Sequence, residues 1–214
     1  MNSLLEAAGP LFAAAFTFLG AEASWLELIA VGLAIAMVVL NIRVNPLAWP
    51  LAMASSLLYF LLFWKSRLYG DASLQILFVA VAGWGWWQWL RGTDVAGKPL
   101  AVRGLDAKGR LVAVAVMALA WPGIALFLDR FTDTDVAWWD AFPTAGSIVG
   151  QWLLGRKYVE NWPAWIIVNV VAATLFAYKG LWLTTVLYVL FVFMSVAGWI
   201  AWQRLARAHV AAAR

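Results

Sequence analysis

Seven apolar stretches, each about as long as a helix needs to cross a bilayer, follow one another near 25–42, 46–64, 72–90, 111–128, 137–155, 161–178 and 182–203. Short polar connectors such as Lys65-Ser66-Arg67 and Tyr178-Lys179-Gly180 separate most of them, and two longer ones run over 91–110 and 129–136. None of the stretches alternates apolar and polar residues as a membrane strand does. A backbone in hydrocarbon must satisfy its own hydrogen bonds, so helices are predicted throughout. The N-terminal stretch reads differently. Leu4–Leu19 is apolar but short, and Gly9-Pro10 interrupts it. Without a basic leader or a cleavage-site pattern it is not a signal peptide. It is expected to form a helix lying in the interface, with a short eighth span as the alternative.

Composition turns these stretches into a membrane protein. Of 214 residues, 65% are hydrophobic and 12% charged, against roughly 45–50% and about 25% in soluble chains. So few charges cannot coat a water-facing surface. A soluble enzyme, a disordered tail, a disulfide scaffold (there is no Cys) and a nucleic-acid binder are excluded, and the net charge of +4 reports topology instead. A single transmembrane domain over 1–214 is expected. With seven spans, one side of the membrane receives Lys65, Arg67, Arg130 and Lys179, together with Asp129, Asp133 and Asp135. The other receives the remaining eleven of the 15 basic residues: Arg43; Arg91, Lys98, Arg103, Lys108 and Arg110; Arg156 and Lys157; and Arg204, Arg207 and Arg214. Basic residues collect on the cytoplasmic face, which places the N-terminus outside and the C-terminus inside.

The chain also resembles itself. Ala82-Gly83-Trp84 near the end of the third span recurs as Ala197-Gly198-Trp199 in the seventh, 115 positions later, and Asn45 with Trp49 recurs as Asn161 with Trp165 at an offset of 116. With one single-residue indel, repeat 1 (about 25–91) matches repeat 2 (about 137–206), and a linker helix (about 111–128) lies between. Three helices end on the side opposite their start, so a parallel second copy requires one extra crossing. The expected fold is therefore an all-α integral membrane protein of seven transmembrane helices with 3+1+3 parallel repeats, SWEET-like, with a substrate site at midplane between the repeats.

No catalytic constellation accompanies this architecture, so the protein is not read as an enzyme. The single His, His209, sits in the C-terminal tail; no metal cluster, phosphate loop or dinucleotide motif is present, and no cofactor is expected. Only Glu27 and Asp140 among the carboxylates fall within a span, both near its outer end. The lack of an ionisable residue at mid-depth argues against proton coupling, and leaves sodium open. What lies at depth is aromatic and amide. Trp162, Trp165 and Asn169 follow i, i+3, i+7 and share a helix face, with Asn169 roughly 12 Å beyond Asn161 along the axis. Trp84, Trp87 and Gln88 form a similar face in span 3, as do Trp199, Trp202 and Gln203 in span 7; Gln75 and Gln151 are further amides inside spans. Indoles stack on a flat ring and attract a cationic one, while amides orient it without adding charge. The competing use of these residues is ordinary membrane chemistry. Trp86, Trp89, Trp199, Trp138 and Trp139 read as interfacial belt residues. Trp165 and Asn169 read as site residues, and Gln88 and Gln151 fit either a site or an interhelical hydrogen bond.

The run Arg156-Lys157-Tyr158-Val159-Glu160-Asn161-Trp162-Pro163-Ala164-Trp165, followed by Asn169, closely resembles the PnuC family of bacterial vitamin transporters, whose hallmark is this WxxW pair. Leu68-Tyr69, Gln75, Gly85-Trp86 and Trp139-Asp140 look like further family positions, and the resemblance runs from about residue 25 onward. It implies a multi-pass protein of the bacterial inner membrane that takes up nicotinamide riboside by facilitated diffusion as a homotrimer, with a cytosolic kinase trapping the vitamin by phosphorylation. It also implies relatives that carry thiamine or riboflavin. The candidate substrate-binding residues are Trp162, Trp165, Asn169, Gln88, Gln151, Trp87, Gln75 and Trp49. The sequence departs from the nicotinamide riboside pattern where Ala82-Gly83 and Ala197-Gly198 stand in place of Asn near the ends of spans 3 and 7, which keeps thiamine or riboflavin open as cargo. Two further readings stand beside these. One is a membrane enzyme or assembly factor that docks through the basic 91–110 loop; the other is a sugar carrier, by fold analogy.

Overall fold

The computed structural model describes residues 9–18, 21–65, 69–94, 96–132, 136–180 and 182–212. Leu4 to Ala8, Leu19, Arg67, Leu68, Asp133, Asp135 and Arg214 lie outside the described residues. Among the described residues, seven α-helices follow in order: α1 Trp25–Ile42, α2 Ala48–Lys65, α3 Tyr69–Arg91, α4 Ala107–Phe131, α5 Ala137–Gly155, α6 Asn161–Tyr178 and α7 Trp182–Ala212. α1, α2, α4, α6 and, in α7, Thr184–Ala211 are long and apolar enough to cross a membrane. α3 and α5, with 23 and 19 residues, have the length but carry more glycine and amide along it.

The N-terminal expectation is corrected. In place of an interfacial helix, Gly9–Phe12 makes one 3-10 turn, and Ala14–Phe18 (β1) pairs antiparallel with Ala21–Ser24 (β2). Pro10 fits the first turn of a helix but the run behind it is too short to propagate one. Phe16-Thr17-Phe18 prefers extended backbone. Ser24 then starts α1 through a capping box: its hydroxyl accepts from the Glu27 amide at 3.2 Å, and Glu27 Oε2 accepts from the Ser24 amide at 2.7 Å. Glu27, an acidic residue inside a span, is thereby accounted for as a cap.

The chain divides into two compact units, Met1–Leu90 and Arg91–Arg214. In the first, α1 packs on α2, and the Ser55 hydroxyl donates to the Ala30 carbonyl at 3.1 Å. In the second, α4 packs on α5, α5 on α6 and α6 on α7. The α5 seam is built from small residues, Ala137, Ala141, Ala145, Gly146 and Gly150, all buried, which lets neighbouring backbones approach closely. A Cβ on Gly146 would strike Val168 of α6.

Local geometry recurs between the units at one constant offset. Adding 113 to the bounds of α2 (48 and 65) gives those of α6 (161 and 178), and adding it to the end of α1 (42) gives the end of α5 (155). Both α1 and α5 end in a Schellman motif with a non-glycine residue in the left-handed region. Val44 has φ 54° and Lys157 has φ 56°. In the first, the Val44 amide donates to Asn41 O and the Asn45 amide to Leu40 O; in the second, Lys157 donates to Leu154 O and Tyr158 to Leu153 O. Each bond sits 113 positions from its counterpart. This corrects the expected register of 115 and 116 and removes the indel. Trp49 therefore corresponds to Trp162, not to Trp165, and each is followed by a proline in the first turn of its helix, where a missing amide hydrogen costs nothing.

Candidate functional site

The corresponding tryptophans are locked in the same way. Trp49 of α2 meets Trp89 of α3 edge-on, with ring centroids 5.5 Å apart and planes at 87°. Trp162 of α6 meets Trp202 of α7 at 5.6 Å and 86°. Each ring of the pair also lies against a glycine. A Cβ on Gly85 would collide with the Trp49 ring, and one on Gly198 would sit 2.5 Å from Cη2 and Cζ3 of Trp162. Trp49 and Trp162 are both 2% exposed, and neither indole N–H has a hydrogen-bond partner among the described residues. An unpaired buried donor costs about 1–3 kcal/mol, which the packing of each ring against its glycine and partner tryptophan must offset.

The structure thus separates the two members of the WxxW pair. Trp162, expected to wall a ligand, has its faces occupied by α7. Trp165, one turn further on, is only half-buried, and its indole rests on Gly150 of α5, where a Cβ would come within 3.2 Å of Cε2. A side chain at residue 150 would press on the ring and require it to shift by a few tenths of an ångström. Gln151, half-buried, is the next residue on α5. Asn169, one further turn along α6, is buried, and its Nδ2 donates to the Ser195 hydroxyl of α7 at 3.4 Å. Three of the second unit's four expected site residues, Trp165, Asn169 and Gln151, therefore lie on α5 and α6 outside the Trp162–Trp202 packing, without a charged residue anywhere in α6.

In the first unit, Gln88 is buried, Gln75 half-buried and Trp87 exposed. Gln88 and Trp87 are adjacent in sequence and so point to different sides of α3. Trp89, expected in the interfacial belt, is instead buried against Trp49, because residue 89 falls on the helix face that Gly85 opens. Trp86, Trp199, Trp138 and Trp139 are exposed, as belt residues are. Asp140, the other carboxylate expected inside a span, lies 3.8 Å from Lys179.

Below α6, the loop that precedes α4 is strapped to the turn between α5 and α6. The Arg103 amide donates to Lys157 O at 3.2 Å and the Val159 amide to Arg103 O at 2.9 Å. The Arg103 guanidinium lies over the Tyr158 ring at 5.0 Å and donates to its hydroxyl at 3.1 Å. Glu160 accepts from the Leu105 amide and from Arg110 Nε, both at 3.0 Å. Lys157 Nζ donates to Leu100 O at 3.0 Å, and burial holds its ammonium below the usual lysine pKa. Arg103 and Arg110 of the basic 91–110 loop, the docking surface of the alternative reading, therefore spend their charge on their own chain. The strap was not anticipated, and Gly85, Gly198, Trp89 and Trp202, noted as motif, repeat, belt or face residues, were not anticipated as partners of Trp49 and Trp162. The available signal was a Trp-Pro pair followed 36 positions later by Gly-Trp-x-x-Trp, which occurs twice: 49 with 85–89, and 162 with 198–202.

The profile of the family described as "Nicotinamide mononucleotide transporter" matches residues 24–204. The chain belongs to the PnuC family. Among its relatives, the nicotinamide riboside transporter PnuC of Escherichia coli (strain K12) is 28% identical over 174 residues, covering 70% of this chain and 73% of that protein. The riboflavin/roseoflavin transporter RibM of Streptomyces davaonensis is 30% identical over 194 residues, covering 88% and 89%. A solved structure, "Crystal structure of the Vitamin B3 transporter PnuC", superposes with a TM-score of 0.70 at 25% identity, over 86% of this chain and 83% of that one. This PnuC-family chain is accordingly a multi-pass membrane transporter of the vitamin class.

Proposed function

We propose that the protein is a uniporter that carries nicotinamide riboside inward across the bacterial inner membrane by facilitated diffusion, with phosphorylation by a cytosolic kinase trapping the vitamin. In this reading seven helices cross the membrane as 3+1+3 parallel repeats, SWEET-like, within one domain. The N-terminus is outside, the C-terminus cytoplasmic, and the assembly is a homotrimer. The observation that carries the reading is the half-buried Trp165 indole on Gly150, with the Asn169 amide one turn away and no charge along α6. A pyridinium ring is flat and cationic, and an indole face attracts it by about 0.5–2 kcal/mol. Trp162, packed against Trp202 and Gly198 of α7, positions Trp165 by fixing the start of α6. Gln151, Gln88, Gln75, Trp87 and Trp49 complete the set of residues proposed to contact or orient the vitamin. Passive transport is the reading because the spans present no ionisable residue at mid-depth to relay a proton; sodium, which carbonyls and hydroxyls can bind, is tested separately by the imposed gradient.

A second reading, riboflavin as cargo, is favoured by one observation: the riboflavin/roseoflavin transporter matches a larger share of this chain than the Escherichia coli relative does. Thiamine, another flat cation, stands as a third. Calorimetric titration of the purified protein with the three vitamins separates them. Binding of nicotinamide riboside with no heat from the other two is expected. Heat from riboflavin or thiamine alone overturns the assignment.

A further inference from the structure

A cavity of about 470 Å³ opens between the strap, the start of α6 and the end of α7. Arg110, Glu160, Gln203 and Arg207 supply its polar atoms, while Val159, Pro163, Ala206 and the Trp199 indole form its apolar wall. Two guanidinium groups face one carboxylate here. Glu160 is already engaged by the Leu105 amide and by Arg110 Nε alone, which leaves the rest of the Arg110 fork outward on a side chain 63% exposed. The lining therefore carries a net positive charge and unspent planar N–H donors, the combination that fits a phosphate oxygen pair.

The cavity does not end at the charged rim. Along α7, Phe193, Val196, Ile200, Gln203 and Arg207 fall at intervals of three and four, so they share one face. Phe193, Val196 and Ile200 are exposed and apolar, Trp199 beside them is exposed, and the face turns polar at Gln203 and cationic at Arg207. A ligand matching this gradient has an anionic head and long apolar tails. We infer that the cavity seats the phosphodiester of an anionic phospholipid between Arg207, Arg110 and Gln203, with its acyl chains along Phe193, Val196, Trp199 and Ile200. The interfacial indole and the basic end of α7 place that headgroup at the leaflet boundary, where anionic lipid is concentrated by positive charge. A free phosphate compound would use the guanidinium groups but leave the apolar face of α7 unmatched.

Native mass spectrometry of the detergent-purified protein, titrated with equal amounts of phosphatidylglycerol and phosphatidylcholine, tests the site. The wild type is expected to retain one phosphatidylglycerol in preference to phosphatidylcholine, and Arg207→Gln to lower that preference about fivefold. Arg204→Gln removes another exposed charge of α7 that does not line the cavity, and is expected to leave the preference unchanged. Equal retention of the two lipids by the wild type overturns the proposal. So does an equal loss in R204Q and R207Q, which marks diffuse charge attraction. Displacement of the lipid by millimolar inorganic phosphate assigns the cavity to soluble phosphate. A lipid-independent oligomer that R207Q dissociates assigns the face to a second copy of the chain. Either result also overturns it.

Discussion

The indole of Trp162 occupies the space where a side chain at residue 198 would stand: a Cβ on Gly198 would lie 2.5 Å from two of its ring atoms. Trp49 and Gly85 repeat this relationship 113 positions earlier. A helix glycine is destabilising relative to alanine by about 0.5–1 kcal/mol, so its presence at both places reflects the close approach. Gly198→Ala and Gly85→Ala are each expected to cost about 1–3 kcal/mol through overpacking, read as a lowered unfolding midpoint in detergent. Gly83→Ala, where a Cβ meets nothing within 4 Å, is expected to leave the midpoint unchanged or raise it. A similar loss in all three variants would detach the effect from the tryptophans.

The two tryptophans of the WxxW pair are expected to respond differently. Trp165→Ala should weaken vitamin binding by about 1–3 kcal/mol while leaving folding largely intact, since its ring is half-buried. Trp162→Ala empties a fully packed site and should cost about 3–5 kcal/mol in stability. Affinity by calorimetry and unfolding midpoint, measured on both variants, check the separation. Identical changes in the two quantities for both variants would contradict it.

Val44 holds φ 54° with a β-branched side chain, a conformation that costs an L-residue roughly 1–2 kcal/mol. Val44→Gly is therefore expected to stabilise the protein by about 1 kcal/mol. Lys157→Gly relieves the same strain but forfeits the Nζ bond to Leu100 O, so its gain should be smaller or absent. Thermal unfolding of the pair reads the difference directly.

Burial lowers the pKa of Lys157 from the ordinary 10.5. Between the folded-state value and 10.5 the unfolded chain binds more protons than the folded one, so this group makes stability rise with pH across that window. Below the folded-state pKa, lysine is protonated in both states and contributes no slope. A Lys157→Met variant should lose this alkaline rise in unfolding midpoint. Retention of the full rise would place its origin elsewhere.

The helices were legible because apolar length is written locally: α1, α5 and α6 have the bounds that hydropathy predicts, while α7 runs on to Ala212 beyond the expected 203. The repeat was legible in kind but not in register. Gly-Trp occurs at 83–84, 85–86 and 198–199, and matching Ala-Gly-Trp selects the wrong member of the first pair. The shared offset of helix bounds and caps, and the packing of Trp49 on Gly85 and Trp162 on Gly198, fix 113. The hairpin before Ser24 was hidden by apolar residues that suit a helix or a strand alike. The strap was hidden because its bonds join residues 55 apart, such as Arg103 with Tyr158, and such contacts leave no periodic trace. That Trp165 and Asn169 lie one turn apart on α6 was legible from helical spacing. The burial of Trp162 was not, since it depends on Gly198 in another helix.

The central claim is passive carriage of nicotinamide riboside, and counterflow in proteoliposomes containing the purified protein tests it most directly. Vesicles preloaded with unlabelled nicotinamide riboside are expected to accumulate the labelled vitamin transiently, without any proton or sodium gradient, and Trp165→Ala vesicles to do so more weakly. Accumulation that requires an imposed ion gradient, or counterflow of riboflavin with none of nicotinamide riboside, would contradict the account.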